Sequence, residues 1–265
     1  MRSEQHRRIT AIACELAKID PEYIRLMSEE SMTPDKFDDY YIALGGFEPD
    51  YFSSRTYLHL YDPVHDYGGA PLECLRYTVL AKDMFNIGNN YEGYKYLGYA
   101  SHYIEDVATP VHTDMDVINQ LSFHLGYEDW INLHWNEIEN RLFLKLGEIG
   151  IPIKCDYVRE HIKKLATISN GYIEDVWEAM KTKDTEMLYS ITVPCVLNAV
   201  LYTAGYYNYV FTAEEIVEEF KLPPSALSIF GSIVLIGLAG YGAYKILTRK
   251  KRRKQGCEKY GEKTI

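Results

Sequence analysis

The fold is decided by residues 99–112, which read Y-A-S-H-Y-I-E-D-V-A-T-P-V-H. His102 and Asp106 are four residues apart in a stretch with helical patterning, so their side chains share one face of the helix, one turn apart. The helix is predicted to end before Pro110, because the residue preceding a proline disfavours the helical conformation. The turn that follows can bring His112 back towards the same point. Two imidazoles around one carboxylate are typical of a divalent-metal site.

A second pair of candidate ligands follows shortly after this stretch. His124 and Glu128 repeat the spacing of four residues, so that five potential ligands occur within 27 residues. Such a density exceeds chance scatter. We therefore expect one metal centre around the helix that carries His102 and Asp106.

The charge of the chain is divided unevenly. Residues 1–220 contain 18 Lys and Arg against 36 Asp and Glu, a net charge of −18, whereas residues 221–265 contain 10 against 2, a net charge of +8. A body this acidic argues against broad nucleic-acid binding, which uses a basic face. Bound metal ions would offset part of the negative charge. The five cysteines form no C-x-x-C pair, so we expect buried thiols, with one disulfide among the first four left open.

The hydrophobic periodicity is helical throughout the body, and no alternating strand pattern is found. It predicts helices over residues 6–18, 22–30, 34–44, 71–87, 90–107, 126–147, 155–168, 171–182 and 186–211. Residues 46–70 are rich in Gly, Pro, Asp and Tyr and predict a long ordered loop, a feature that is usually functional. We expect an all-α fold, with one compact multi-helix domain over residues 1–220.

The C-terminal part differs from the body. Residues 225–247 are almost wholly apolar and carry no charge before Lys245. As a helix, this segment is long enough to cross a hydrocarbon core of ~30 Å. Six basic residues follow at 249–254. We therefore predict a single transmembrane helix over 225–247 and a basic tail over 248–265, in preference to a buried core helix.

The orientation of this predicted span leaves two arrangements open. The positive-inside rule favours a cytoplasmic tail and an extracytoplasmic body at the cell membrane. Residues 1–8 contain no recognisable signal peptide. In one arrangement the exported form of the protein starts upstream of residue 1. In the other, the predicted helix is a tail anchor and the body lies in the cytoplasm. We expect the extracytoplasmic body.

The order and spacing of the candidate ligands match a known family. Residues 102–112 are close to H-Y-L-x-D-x-x-x-P-x-H, with Ile104 in place of the Leu. Residues 124–128 fit H-x-x-x-E, residues 59–63 fit H-x-Y-D-P and residues 45–50 fit G-x-x-x-x-D. His6 fits a histidine near the start of the first helix, and residues 198–211 fit the closing helix. From about residue 5 to residue 211, the sequence resembles the zinc-dependent phospholipase C family, whose fold is shared with zinc-dependent single-strand nucleases.

The resemblance implies two or three zinc ions and assigns protein ligands to each of them. The first ion would be held by His59, His102 and Asp106 with Asp50, the second by His112, His124 and Glu128, and the third by His6, the shared Asp106 and the first residue's amine and carbonyl. A zinc-activated water would be the nucleophile, with Asp50 orienting it or acting as base.

Candidate substrate contacts come from the loop at the mouth of the implied site. Tyr51 matches an aromatic of the family's choline pocket, whereas Thr56 replaces another. His65 is a candidate contact or an ordinary surface histidine. His134 and His161 lack partner spacing and are expected to be ordinary surface or core histidines.

The resemblance and the predicted span together imply a membrane-anchored zinc-dependent hydrolase of phosphodiesters. Phospholipid headgroups are the first choice, because the span tethers the body beside a bilayer and the short-spaced H-x-x-x-E resembles the phospholipases. A single-strand nuclease is the alternative, disfavoured by the acidic body. A non-catalytic zinc-binding membrane protein that kept the fold is the third possibility.

Overall fold

The computed structural model describes residues 3–36, 54–213 and 216, which lie in the first of two units, Met1–Val217. Its helices of six or more residues are α1 (Ser3–Leu16), α2 (Pro21–Glu30), α3 (Ser54–His59), α4 (Ala70–Asn86), α5 (Asn90–Val107), α6 (Leu125–Ile149), α7 (Val158–Asn170), α8 (Ile173–Thr182) and α9 (Thr185–Thr212). The described residues contain no β-strand beyond an isolated bridge between Asp62 and Tyr67. This confirms the predicted all-α body. The predicted helix over 34–44 lies mostly outside the described residues, and the predicted span and tail lie wholly outside them.

Polar side chains define the starts of several helices. Asp20 accepts a hydrogen bond from the backbone N–H of Glu22 at the start of α2, and Asn89 does the same for Glu92 at the start of α5. Asp184 caps α9 through the N–H of Met187. Such caps satisfy backbone donors that have no partner inside the helix, so these boundaries could be predicted locally.

One local prediction was wrong. Within residues 46–70, which were expected to form a loop, Ser54–His59 is the helix α3. The loop composition lies on either side of it, because the segment S-R-T-Y-L-H itself contains neither Gly nor Pro. α3 ends at His59, and the bridge between Asp62 and Tyr67 then leads the chain into α4.

α5 lies at the centre of the domain. It packs against α1, α2, α4, α7 and α9, and every residue from 97 to 107 is buried. Gly98 permits a close approach of α2, because a Cβ added there would lie 2.6 Å from the carbonyl oxygen of Met27. The end of α2 is thereby held against the face of α5 that carries His102.

α9 is the helix in the described part of the chain that is long and apolar enough to cross a membrane. However, 72% of its most apolar window is buried inside the domain, where it packs against α1, α5 and α6. A core helix has the same composition as a spanning one, so burial identifies α9 as a core helix. No disulfide joins Cys14, Cys74, Cys155 and Cys195, the four cysteines within the described residues, and all four are buried.

Candidate metal centre

Five segments of the chain converge beside α5. The structure brings together seven of the eight predicted metal ligands, all except Asp50, which lies outside the described residues. They come from α1 (His6), α3 (His59), α5 (His102 and Asp106), the 3-10 turn Pro110–Thr113 (His112), and the π-helical turn Gln120–His124 with the start of α6 that follows it (His124 and Glu128).

The first cluster consists of His59, His102 and Asp106. His59 Nδ1 lies 2.8 Å and His102 Nε2 lies 3.0 Å from Asp106 Oδ2, and the two nitrogens are 2.9 Å apart. All three residues are buried. Ligand atoms of a tetrahedral zinc, bound at about 2.0–2.1 Å, are roughly 3.3 Å from one another. The cluster therefore has nearly the spacing of a zinc site.

The second cluster consists of His112, His124 and Glu128. Both Nε2 atoms face Glu128 Oε1, at 3.1 Å from His112 and 3.2 Å from His124. The turn at Pro110 brings the ring of His112 back to within 3.8 Å of Asp106 Oδ1. This confirms the turn that Pro110 predicts.

His6, from α1, approaches the same carboxylate. Its Nε2 lies 3.3 Å from Asp106 Oδ1, and its Nδ1 donates to Glu105 Oε2 at 2.8 Å. The rings of His6 and His102 are 4.2 Å apart. Asp106 thus has histidines around both of its oxygens.

The hydrogen bonds behind the clusters determine which ring nitrogen carries the proton. His102 Nδ1 lies 2.9 Å from the carbonyl oxygen of Ser31, and His112 Nδ1 lies 3.2 Å from that of His59. A carbonyl oxygen only accepts, so both Nδ1 atoms carry hydrogen. In the neutral ring Nε2 then presents a lone pair, and in both cases it faces a carboxylate oxygen.

His124 follows the same rule through a side chain. The amide nitrogen of Gln120 donates to the carbonyl oxygens of Val111 and Asp114, both at 2.6 Å. The amide oxygen of Gln120 therefore faces His124 Nδ1, which must donate to it. Nε2 of His124 is left with its lone pair towards Glu128. Lone pairs that face carboxylate oxygens repel unless a proton or a cation lies between them.

The pKa values favour a cation over a proton in the two clusters. Burial lowers the pKa of His112 to about 4 and lowers the pKa of His102 as well, so both rings are neutral at pH 7. Burial alone would raise the pKa of Asp106, but the histidines around it, His102 and His112 foremost, hold that pKa well below its usual range. Imidazole nitrogens and carboxylate oxygens in this arrangement suit zinc. The residues therefore fit the metal that the resemblance implies.

His6 behaves differently. Burial alone would lower its pKa, but the carboxylates of Asp106 and Glu105 raise it to about 10. Without a metal ion the ring is therefore charged, and a bound cation would replace its proton.

The fold has known counterparts among solved structures. It resembles the alpha toxin of Clostridium absonum, with a TM-score of 0.58 and 18% sequence identity over 83% of this chain and 67% of that one. It also resembles the alpha-toxin of an avian strain of Clostridium perfringens, with a TM-score of 0.50 and 14% identity over 79% of this chain and 63% of that one. The chain has the alpha-toxin fold. This confirms the zinc-dependent phospholipase C fold that the motifs predicted.

The likeness is one of fold. The chain spans about two thirds of the length of these toxins, and at this identity the match does not extend to activity. No family model and no curated protein matches the sequence.

Sequence reasoning missed three side chains that the alpha-toxin fold brings to the centre. Glu105 is fully buried and contacts His6, Gln120 contacts His124, and Asp35 Oδ1 lies 3.5 Å from His102 Nε2. Glu105 had a signal, because it is the only charged residue besides Asp106 in the buried stretch 97–107. Gln120 and Asp35 had none.

The remaining candidates lie outside these contacts. His65 is exposed and its Nδ1 lies 2.6 Å from Asp62 Oδ2, and Tyr51 lies outside the described residues, so both substrate roles stay predictions. His134 stacks on Trp130 with ring centroids 4.5 Å apart, and His161 is buried with Nε2 donating to the carbonyl oxygen of Tyr202 at 2.9 Å. Both are ordinary histidines, as predicted.

Proposed function

We propose that this domain is a zinc-dependent hydrolase of phosphodiesters, similar to phospholipase C, that acts on phospholipid headgroups. The observation that carries the proposal is the convergence of two clusters of histidine and carboxylate side chains, in which His112 of the second lies 3.8 Å from Asp106 of the first and ring lone pairs face carboxylate oxygens. Structural histidines have no need of this arrangement, whereas a catalytic metal centre does.

The chain's own residues would hold and orient this centre. Bound zinc would lower the pKa of water and stabilise negative charge on a phosphoryl group. The carbonyl oxygens of Ser31 and His59 keep Nδ1 of His102 and His112 protonated, so that Nε2 of each neutral ring would be the atom that binds metal. Asp106, whose two oxygens face different histidines, would be among the residues that hold the metal. Asp50 would orient the attacking water or remove its proton.

Exposed apolar side chains that are close in sequence to the ligands support a lipid substrate. Leu125 directly follows His124 and is 71% exposed, and Ile118 in the preceding segment is 74% exposed. Val64, in the turn after α3, is 73% exposed. Exposed apolar side chains suit contact with a bilayer surface. The acidic body, in contrast, would repel a nucleic-acid polyanion.

The test compares two substrates on one preparation. The zinc-loaded chain should release diacylglycerol from phospholipid vesicles and leave single-stranded DNA intact, and chelation or Asp106→Asn should abolish the release. His134→Gln is the matched control, since that histidine lies outside the centre. Cleaved DNA with intact lipid would favour a nuclease, and bound zinc without either activity would favour a non-catalytic zinc-binding membrane protein.

We also propose that residues 225–247 anchor the domain over 1–220 in the cell membrane, with the domain outside and the basic tail inside. The support is the apolar length followed by six basic residues. Protease added to intact cells should remove the domain and spare the tail. A protected domain would reverse the orientation.

A further inference from the structure

We propose that the face of α6 that carries Leu125, Leu133, Phe143 and Leu144, its outer face, is a docking surface on which the helix lies lengthwise against a lipid bilayer. This surface would bring the proposed metal centre to its lipid substrate, so the proposal rests on that function. Leu144 lies 20 residues after the predicted ligand His124, about 30 Å along a helix. The docking surface therefore extends well beyond the metal centre.

The outer face consists of nine residues that lie opposite the core. With 3.6 residues per turn, they fall within one sector of the helix about 100° wide. The buried Ile131, Ile138 and Leu142 lie on the other side of α6. All nine are exposed to solvent, and they are Leu125, Gly126, Asp129, Leu133, Asn136, Asn140, Phe143, Leu144 and Gly147.

This exposed face is apolar and almost without charge. Leu133 and Leu144, about three turns apart on the helix, are 79% and 72% exposed. Leu125 and Phe143, about five turns apart, form a second exposed row. Asp129 is the one charged residue among the nine. The solvent face of a surface helix normally carries charged and polar side chains, so four large apolar ones indicate a contact surface.

The apolar surface extends from Leu144 onto α9. A groove of about 370 Å³ between the two helices is lined by Leu144, Val193 and Leu197 on its apolar side. Arg141 and Lys145 are among the charged residues that also line it. Apolar side chains flanked by basic ones are typical of helices that lie in a membrane interface.

Three observations support a lipid surface as the partner. The outer face begins at Leu125, directly after His124, so it is continuous with the proposed site for phospholipid. The predicted span over 225–247 follows the last residue of α9 after 12 residues, a linker that reaches at most about 40 Å. The net charge of −18 over residues 1–220 would repel a second copy of the domain or an anionic membrane, whereas the outer face can approach a zwitterionic bilayer.

The experiment measures whether the outer face enters the lipid. Cys14, Cys74, Cys155 and Cys195 are buried, so a full chain with Cys257→Ser can be labelled at Leu144→Cys with a fluorescent dye and reconstituted in phosphatidylcholine vesicles. Lipids with brominated acyl chains should quench this dye several-fold more than the same dye at Asp83→Cys, an exposed position on α4. Iodide in the water should quench it less. Leu133→Cys should behave like Leu144→Cys, with unchanged helical circular dichroism in all three.

The outcomes separate the docking surface from the proposed function, because quenching needs no catalysis. Dye at Leu144→Cys that responds like dye at Asp83→Cys would overturn the docking surface, and diacylglycerol release by the same vesicles would leave the hydrolase standing. Protection from both quenchers would overturn it in favour of a contact between two copies. Quenching by lipid without diacylglycerol release would support the surface and contradict the phospholipase activity.

Discussion

Removal of metal should destabilise the domain strongly, because the two clusters have separate ligand sets and each would bind an ion only in the native state. An ion bound only by the native state adds about 2.7 kcal/mol to the free energy of unfolding at a free concentration of 100 times Kd, and about 4.1 kcal/mol at 1,000 times Kd. Two ions together should contribute about 5–8 kcal/mol. For a domain of this size, 1 kcal/mol shifts Tm by about 2–4 °C, so chelation should lower Tm by roughly 10–30 °C.

The assay is thermal unfolding followed by circular dichroism, with excess zinc and with excess chelator. His112→Ala removes one ligand of the second cluster, so its response to chelation should fall to about half of the wild-type shift. His134→Gln should respond like the wild type, because that ring stacks on Trp130 away from the clusters. Superimposable wild-type curves with and without chelator would refute the reasoning.

Three further predictions follow from single side chains. Burial lowers the pKa of His161 to about 4 in the folded domain, against about 6.5 in the unfolded chain. The neutral buried ring therefore favours folding above pH 6.5, and this stability is lost as the pH falls towards 4. From pH 7 to pH 5 the wild type should therefore lose about 2 kcal/mol more than His161→Gln in urea unfolding, and equal losses would contradict the assigned pKa. Gly205→Ala should lower the free energy of unfolding by about 1–3 kcal/mol or more, because the added Cβ would lie 1.7 Å from the carbonyl oxygen of Ile153. Gly147→Ala is the control: its added Cβ has nothing within 4 Å, so it should be neutral or stabilising. The pair Ile118→Ser and Leu125→Ser should slow hydrolysis of vesicles several-fold and leave a soluble chromogenic phosphodiester unaffected; equal effects on both substrates would remove the argument for lipid contact.

The helices and the order of the ligands were predictable from the sequence, because both depend on local rules. The spacing of four residues put His102 and Asp106 on one face of α5, and Pro110 ended the helix so that His112 returned to them. Caps such as Asn89 and Asp184 marked helix starts within a few residues of the predicted ones. None of these features needs a contact between distant parts of the chain.

Only the tertiary structure decided what supports the ligands. His6 and Glu105 are 99 residues apart, and His102 and the carbonyl of Ser31 are 71 residues apart, so no spacing rule connects them. The contact with Ser31 depends on the approach that Gly98 permits between α2 and α5. In the same way, composition alone does not distinguish α9 from a membrane span. Its burial against α1, α5 and α6 makes that distinction. For His6, His102 and His112, which nitrogen carries the proton is thus a property of packing, because the acceptor behind each of these rings comes from another segment of the chain.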